Sequence, residues 1–417
     1  MEVRVAVIGG GISGLTTANL LKEKCYKVIV YEKERKPGGL VRCERIAGSL
    51  FHICGGHVFN SKRQDVLEWF WKTFSQERDF FKAERNSVIF MDDSLVIPSP
   101  IENHMYLFDK DIQKRFIEDL LSISQNDNCH PDNFDEFLRY RFGKTLYEIY
   151  FRPYNEKIWN RDLSKIPLSW LDGQLPMPSV AEMIFNNMNH VNEKSFVHSM
   201  FWYEKKDGSQ FIVYQLAKDI DIYYNNEIKK VSLRGEKWIV NGQEFDKIVF
   251  CGNIKDMVRL IEGVDVNSYK RYVEELQYHG TTAVFCEIDK TPYSWIYMPS
   301  KHHKSHRIIC TGNFASSNNG AEIPRNRITA TVEFTDEISK NYILQYLAYI
   351  PLHPRYIDHH YTQYAYPIQD KDTKNMIKSL KEYLAKFGFY FTGRFADWEY
   401  YNMDVSMGAA MDLTSKI

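Results

Sequence analysis

The first 32 residues constrain the fold more than any other stretch. Residues 3–8 form an apolar, β-branched run that reads as a buried strand, and Gly9-Gly-Gly-Ile-Ser-Gly14 follows it. Residues 15–24 have helical composition, and residues 27–31 read as a second strand, with Glu32 directly after it. Gly9, Gly11 and Gly14 thus give G-x-G-x-x-G between a strand and a helix. The first glycine permits the tight turn, the second lets a pyrophosphate approach the backbone, and the third lets helix and strand pack closely. The helix N-terminus offers amides and positive potential to phosphate. Glu32 is placed to accept hydrogen bonds from a ribose. A lone glycine motif is a weak signal. Strand, glycines, helix, strand and acid in this order predict a βαβ unit with a dinucleotide site.

The next segments narrow the ligand. Arg35-Lys-Pro-Gly-Gly39 follows the acid at once. A glycine doublet there resembles the fingerprint of FAD proteins related to glutathione reductase, which favours FAD over NAD. Ile12, Ser13, Lys33, Gly38, Gly39, Leu40 and, further along, Ile228 are assigned to the cofactor on this basis. Cys54-Gly-Gly-His-Val-Phe-Asn60 then sets a histidine behind two glycines, just after an apolar segment. Gly56 would let backbone come close to a flat ligand and His57 would face it. A tight turn followed by a core histidine is the plainer alternative.

The chain has 417 residues, 44% of them hydrophobic, enough for two or three domains. A net charge of −1 supplies no bulk field for nucleic acid or an anionic membrane. Seven scattered cysteines without a C-x-x-C pair fit a reduced, cytoplasmic setting. The N-terminus lacks a signal-peptide pattern, and no apolar run approaches the roughly 18 residues of a membrane helix, so no membrane insertion is expected. Helical periodicity dominates residues 62–195, where Val66, Leu67, Phe70, Trp71 and Phe74 share one face. Alternation dominates 265–370 and predicts an antiparallel sheet. Strand-then-glycine patterns recur near Gly252 and Gly393. The expected fold is therefore α/β. A discontinuous Rossmann-like FAD domain (1–61, 196–264, 371–417) carries a helical substrate or lid domain (62–195) and an antiparallel β-sheet substrate domain (265–370). His302-His303-x-x-His306 and His359-His360 lack accompanying carboxylates or cysteines and are read as solvated loops, with no metal site.

FHICGGHVFN, RPYNEKIW, YAYPIQD and TGRFADWEYYNMD, taken in order with the N-terminal fingerprint, resemble the UDP-galactopyranose mutase family. The likeness covers most of the chain and is most specific at the flavin end. It implies reduced FAD, supplied by a reductant such as NAD(P)H, whose N5 attacks the anomeric carbon of a nucleotide sugar. The sugar then recloses as a furanose with no net redox change, in surface-polysaccharide biosynthesis. The resemblance places His57 and Arg394, with Gly393, beside the flavin. Asn402, Met403 and Asp404 open a last helix aimed at it. Tyr366 and Tyr401 would hold the substrate phosphates, and Tyr154 and Trp159 would line the nucleotide and sugar pocket.

Two departures stand out. Mutases of this family grip the pyrophosphate with two arginines, and here those places fall on Gln174, or Gly173 in an ungapped alignment, and on Trp295. Each lost arginine–phosphate contact is worth roughly 1.5–3 kcal/mol. The sequence therefore leaves three readings: a nucleotide-sugar mutase, a redox flavoenzyme related to amine or protoporphyrinogen oxidases, and a flavoprotein without catalysis. It leaves room for a homo-oligomer and assigns no other macromolecular partner.

Overall fold

The computed structural model describes residues 2–91, 95–125, 130–168, 178–191 and 200–417. Its organising element is a five-stranded parallel sheet in the order Phe389–Phe391, Lys247–Phe250, Arg4–Ile8, Lys27–Tyr31, Asp221–Tyr223. These strands read as apolar runs because helices cover the sheet. Helix Ile12–Glu23 packs on one side with Met403–Thr414, sharing a core of Ile12, Leu15, Met403 and Met407. The beginning, middle and end of the chain each contribute to this sheet.

A seven-stranded sheet stands beside it, in the order Arg355–Ile368, Gln277–Asp289, Arg327–Thr335, Arg307–Ile309, Trp295–Tyr297, Ser87–Phe90, Val96–Pro98. Two of these strands come from the stretch read as helical. Ser87–Phe90 and Val96–Pro98 are short and form a hairpin, so no alternation is long enough to register against the flanking helices. Phe80–Glu84 likewise pairs with Met200–Glu204. The sheet is also not wholly antiparallel, since Ser87–Phe90 runs parallel to Trp295–Tyr297.

Strand register gives the sheet two distinct faces. Val284, Cys286, Ile296, Ile308 and Val332 pack on one side beneath Ile343 and Leu347. On the other side Tyr297, Arg307, Glu333 and Ala283 lie in one cross-strand row. The neighbouring row is Trp295, Ile309, Thr331 and Phe285. Phe285 stacks on Phe51 at 4.9 Å, so this second face looks toward the strand Ser49–His52 and the glycine turn behind it.

Helices Lys110–Gln125, Phe134–Leu146 and Arg152–Trp159 close a third cluster around Phe116, Leu138, Tyr147, Tyr154 and Trp159. Among the described residues no helix is long and apolar enough to cross a membrane.

Candidate active site

The first strand ends at Ile8, and Gly9 turns the chain at φ +114° while its amide donates to the Tyr31 carbonyl at 2.8 Å. Gly14 admits no side chain, because a Cβ there would sit 1.9 Å from the Gly9 carbonyl oxygen. Gly11 and Gly39 cross closely: a Cβ on Gly39 would lie 3.5 Å from the Gly11 Cα. Ile12 and Ser13 form the first turn of the following helix, whose N-cap Gly11 makes no side-chain bond to its amides. Glu32 is buried, with one oxygen on the Gly10 amide at 2.6 Å and the other on the Glu34 amide at 2.8 Å. Each of those oxygens keeps a second lone pair. Lys33 is exposed, Gly38 lies in the crossing loop, and Ile228 is buried with Tyr31 and Phe245.

The GGH turn closes over this loop. Gly55 has φ +73°, and a Cβ on Gly56 would strike Ile309 at 2.6 Å. His57 lies 2.9 Å from the Leu40 carbonyl through Nε2, which makes Nε2 the donor. Burial, followed by the nearby Arg394 guanidinium, lowers the ring to a pKa of about 4, so His57 is neutral at physiological pH. Behind it His52 is wholly buried, 2.8 Å from the Tyr203 hydroxyl.

The C-terminal segment brings the third wall. Gly393 has φ +123° and packs on Ser13, 3.0 Å from its hydroxyl for a built Cβ. Arg394 donates from Nη1 to the Tyr401 carbonyl at 3.3 Å, and its guanidinium lies 4.1 Å from the Tyr400 ring centre and 5.1 Å from that of Tyr366. Its Nε is buried, with no hydrogen-bond partner among the described residues. Asn402 caps the last helix without a side-chain bond, Met403 is buried against the first helix, and Asp404 stands in the first turn. A glycine cradle, uncapped helix amides and an orphaned guanidinium N–H converge on one place. These residues fit a flavin dinucleotide.

Tyr366 occupies the centre of the adjoining wall. It stacks on His279 at 4.5 Å and on Tyr400 at 5.3 Å, and its hydroxyl accepts from Arg307 Nη2 at 3.0 Å. Arg307 Nε pairs with Glu333, whose side chain is fully buried. Burial alone would raise the Glu333 carboxyl, but Arg307 outweighs it and leaves the group at about 2. Among the described residues Arg307 Nη1 has no hydrogen-bond partner, and the side chain is one-fifth exposed. Tyr154 stacks on Tyr150 at 5.3 Å and meets Tyr297 edge-on at 5.6 Å, and Trp159 meets His279 edge-on at 5.9 Å.

Several expectations are corrected here. Tyr401 turns away from Tyr366 toward Asp397, and burial with that facing carboxylate pushes its phenol up. Its neighbour Tyr400 stacks on Tyr366 instead, and the Tyr401 amide donates to the Glu399 carbonyl at 2.9 Å in a tight turn between them. Trp295 is 7% exposed, packed on Phe201 and Phe314 with Arg85 over its ring at 5.0 Å. It is a core aromatic and does not line an open pocket. A cation does stand nearby: register puts Arg307 two strand positions along from Trp295 and one strand across. Gln174 lies outside the described residues. His303 and His306 are buried, not solvated, and His359 and His360 belong to a strand. Among the described residues no histidine, cysteine or carboxylate group is arranged for a metal.

A family model described as an NAD(P)-binding Rossmann-like domain matches residues 7–74. The chain is 26% identical over 340 residues to a dTDP-fucopyranose mutase of Escherichia coli, spanning 77% of this chain and 84% of that protein. It is 23% identical over 274 residues to a UDP-galactopyranose mutase of Mycoplasma genitalium, spanning 62% of this chain and 63% of that protein. The chain is thus similar to nucleotide-sugar mutases. A reduced UDP-galactopyranose mutase superposes on all of this chain and 93% of its own, with a TM-score of 0.87 at 19% identity. A putrescine oxidase bound to putrescine shares the fold more distantly, at a TM-score of 0.62 and 14% identity over 99% of its chain.

Proposed function

We propose that this flavoprotein interconverts the pyranose and furanose forms of a nucleotide sugar, with reduced FAD as the working cofactor and a pyridine nucleotide or similar donor as reductant. When bound, reduced FAD supplies a nucleophilic nitrogen toward the anomeric carbon. The chain's own residues do the remaining work. Arg394 would favour an anionic reduced ring, while neutral His57 ties the two flavin loops together without adding charge. Arg307, with its unfilled Nη1, and the Tyr366 and Tyr400 phenols would hold the substrate phosphates. Tyr154, Tyr297 and Trp159 would wall off water from the sugar and base.

The observation that carries this reading is Arg307. A guanidinium backed by Glu333 and aimed past Tyr366 supplies the phosphate contact that the sequence had left empty at Trp295. The same cations argue against the oxidase reading, since two guanidiniums repel an ammonium substrate.

The test is a panel of nucleotide sugars incubated with dithionite-reduced protein and separated by chromatography. Interconversion by the reduced but not the oxidised protein is expected. Oxygen consumption with amines would overturn the proposal in favour of an oxidase, and neither activity would identify a flavoprotein without catalysis. Arg307→Lys keeps the charge but loses the planar fork. It should weaken nucleoside-diphosphate binding about tenfold or more, from roughly 1.5–3 kcal/mol per charged contact, and leave flavin content unchanged.

A further inference from the structure

The Thr392-Gly-Arg394 turn hangs between two supports. On one side Gly393 lies against Ser13 of the first helix. On the other stands Asp397, a carboxylate only 3% exposed. Its Oδ2 accepts from the Thr392 hydroxyl at 3.2 Å and from the Gly393 amide at 3.2 Å. Its Oδ1 pairs with Lys381 Nζ at 2.5 Å. The Tyr401 hydroxyl faces the same carboxylate from just before the last helix, and the half-buried Cys251 faces it from the end of a parallel strand. Arg394 itself has little else to hold it. One carbonyl, that of Tyr401, and two ring faces orient its guanidinium, and Nε is unpartnered.

We propose that Asp397 is a positioning residue for Arg394: it fixes both ends of the segment that presents the guanidinium, the Thr392-Gly393 turn and Tyr401. This rests on the flavin reading above and adds to it a residue that touches neither cofactor nor substrate. Opposed effects make the idea decidable. Deleting a negative charge would, acting directly, favour an anionic reduced flavin. Releasing Arg394 acts the other way, because a displaced guanidinium no longer stabilises the anion.

The experiment titrates the absorbance of the reduced flavin against pH in the full-length holoprotein. Asp397→Asn should raise the proton affinity of the reduced flavin about tenfold, one pH unit. Tyr401→Phe removes only one of the supports and should raise it about threefold; it decides the question alone if Asp397→Asn does not hold flavin. Arg394→Gln should give the full rise, and adding Asp397→Asn to it should add nothing further, the coupling expected of residues acting through one group. A merely structural role would lower thermal stability and leave the titration in place. An unmoved titration, or a shift toward lower proton affinity, in variants that retain flavin overturns the proposal. Wild-type protein that holds no flavin would instead overturn the functional reading on which it rests.

Discussion

The flavin wall and the phosphate wall proposed for this site are built by different means. At the flavin wall, loops at the ends of parallel strands present backbone: Gly9, Gly14, Gly56 and Gly393 matter for what they lack. At the phosphate wall, a sheet presents side chains in rows, and Tyr297, Arg307 and Glu333 become neighbours only through strand register. The first wall tolerates almost no added atom. The second tolerates exchange of side chains as long as charge stays balanced. A cofactor surface made of backbone is fixed by steric exclusion, while a substrate surface made of side chains is open to change of specificity.

Three substitutions probe that contrast. Gly14→Ala should have the largest effect, since the new methyl would overlap a carbonyl oxygen at 1.9 Å. Loss of bound flavin and at least about 3 kcal/mol of stability are expected, read by flavin release and denaturant unfolding; a stable yellow variant would break the contrast.

Glu333→Gln should come next. It leaves the partly buried Arg307 without its counter-charge, which costs at most the roughly 3–5 kcal/mol of a fully buried pair. The acid limb carries a sign. The Glu333 carboxyl sits at about 2 in the folded protein against 4.5 ordinarily, so its contribution is complete above about pH 4.5. It fades as pH falls through about 2. Unfolding curves of wild type and variant should therefore converge toward the acid end, and a constant gap between them would mean the pair contributes nothing.

The smallest change is expected from Trp295→Phe, which loses the stack with Arg85, about 0.5–1 kcal/mol, and leaves nucleotide affinity within about twofold. A tenfold loss in a binding titration would show that Trp295 reaches the ligand and would sharpen the phosphate wall into a mixed one.

The two walls were also unequally legible. Gly9 to Glu32, the GGH turn and the TGR segment are local patterns, where a few adjacent residues carry the whole constraint. Arg307 is a different case. Nothing near it in sequence distinguishes it from Arg325 or Arg327. Arg327 spends its guanidinium on Glu287 and Asp289 at the far end of the same strand pair, and Arg325 is exposed. Only the register across three strands separates them. Tyr400 and Tyr401 were confused for a simpler reason: the motif fixes the pair but not which member points inward. The buried pair His303 and His306 was hidden by the charged residues around it, whose side chains leave for solvent while the imidazoles turn in.

The position of Phe389–Phe391 at one edge of the parallel sheet has a bearing on how the protein is made. Among the described residues the strand that leads into the TGR turn is the last in sequence, yet it docks beside one of the middle strands and places Arg394 near the glycine turn of the first sixty residues. On the proposed reading, flavin is therefore captured only once residues 389–404 have been made and have joined the sheet, so a chain cut before them should hold none.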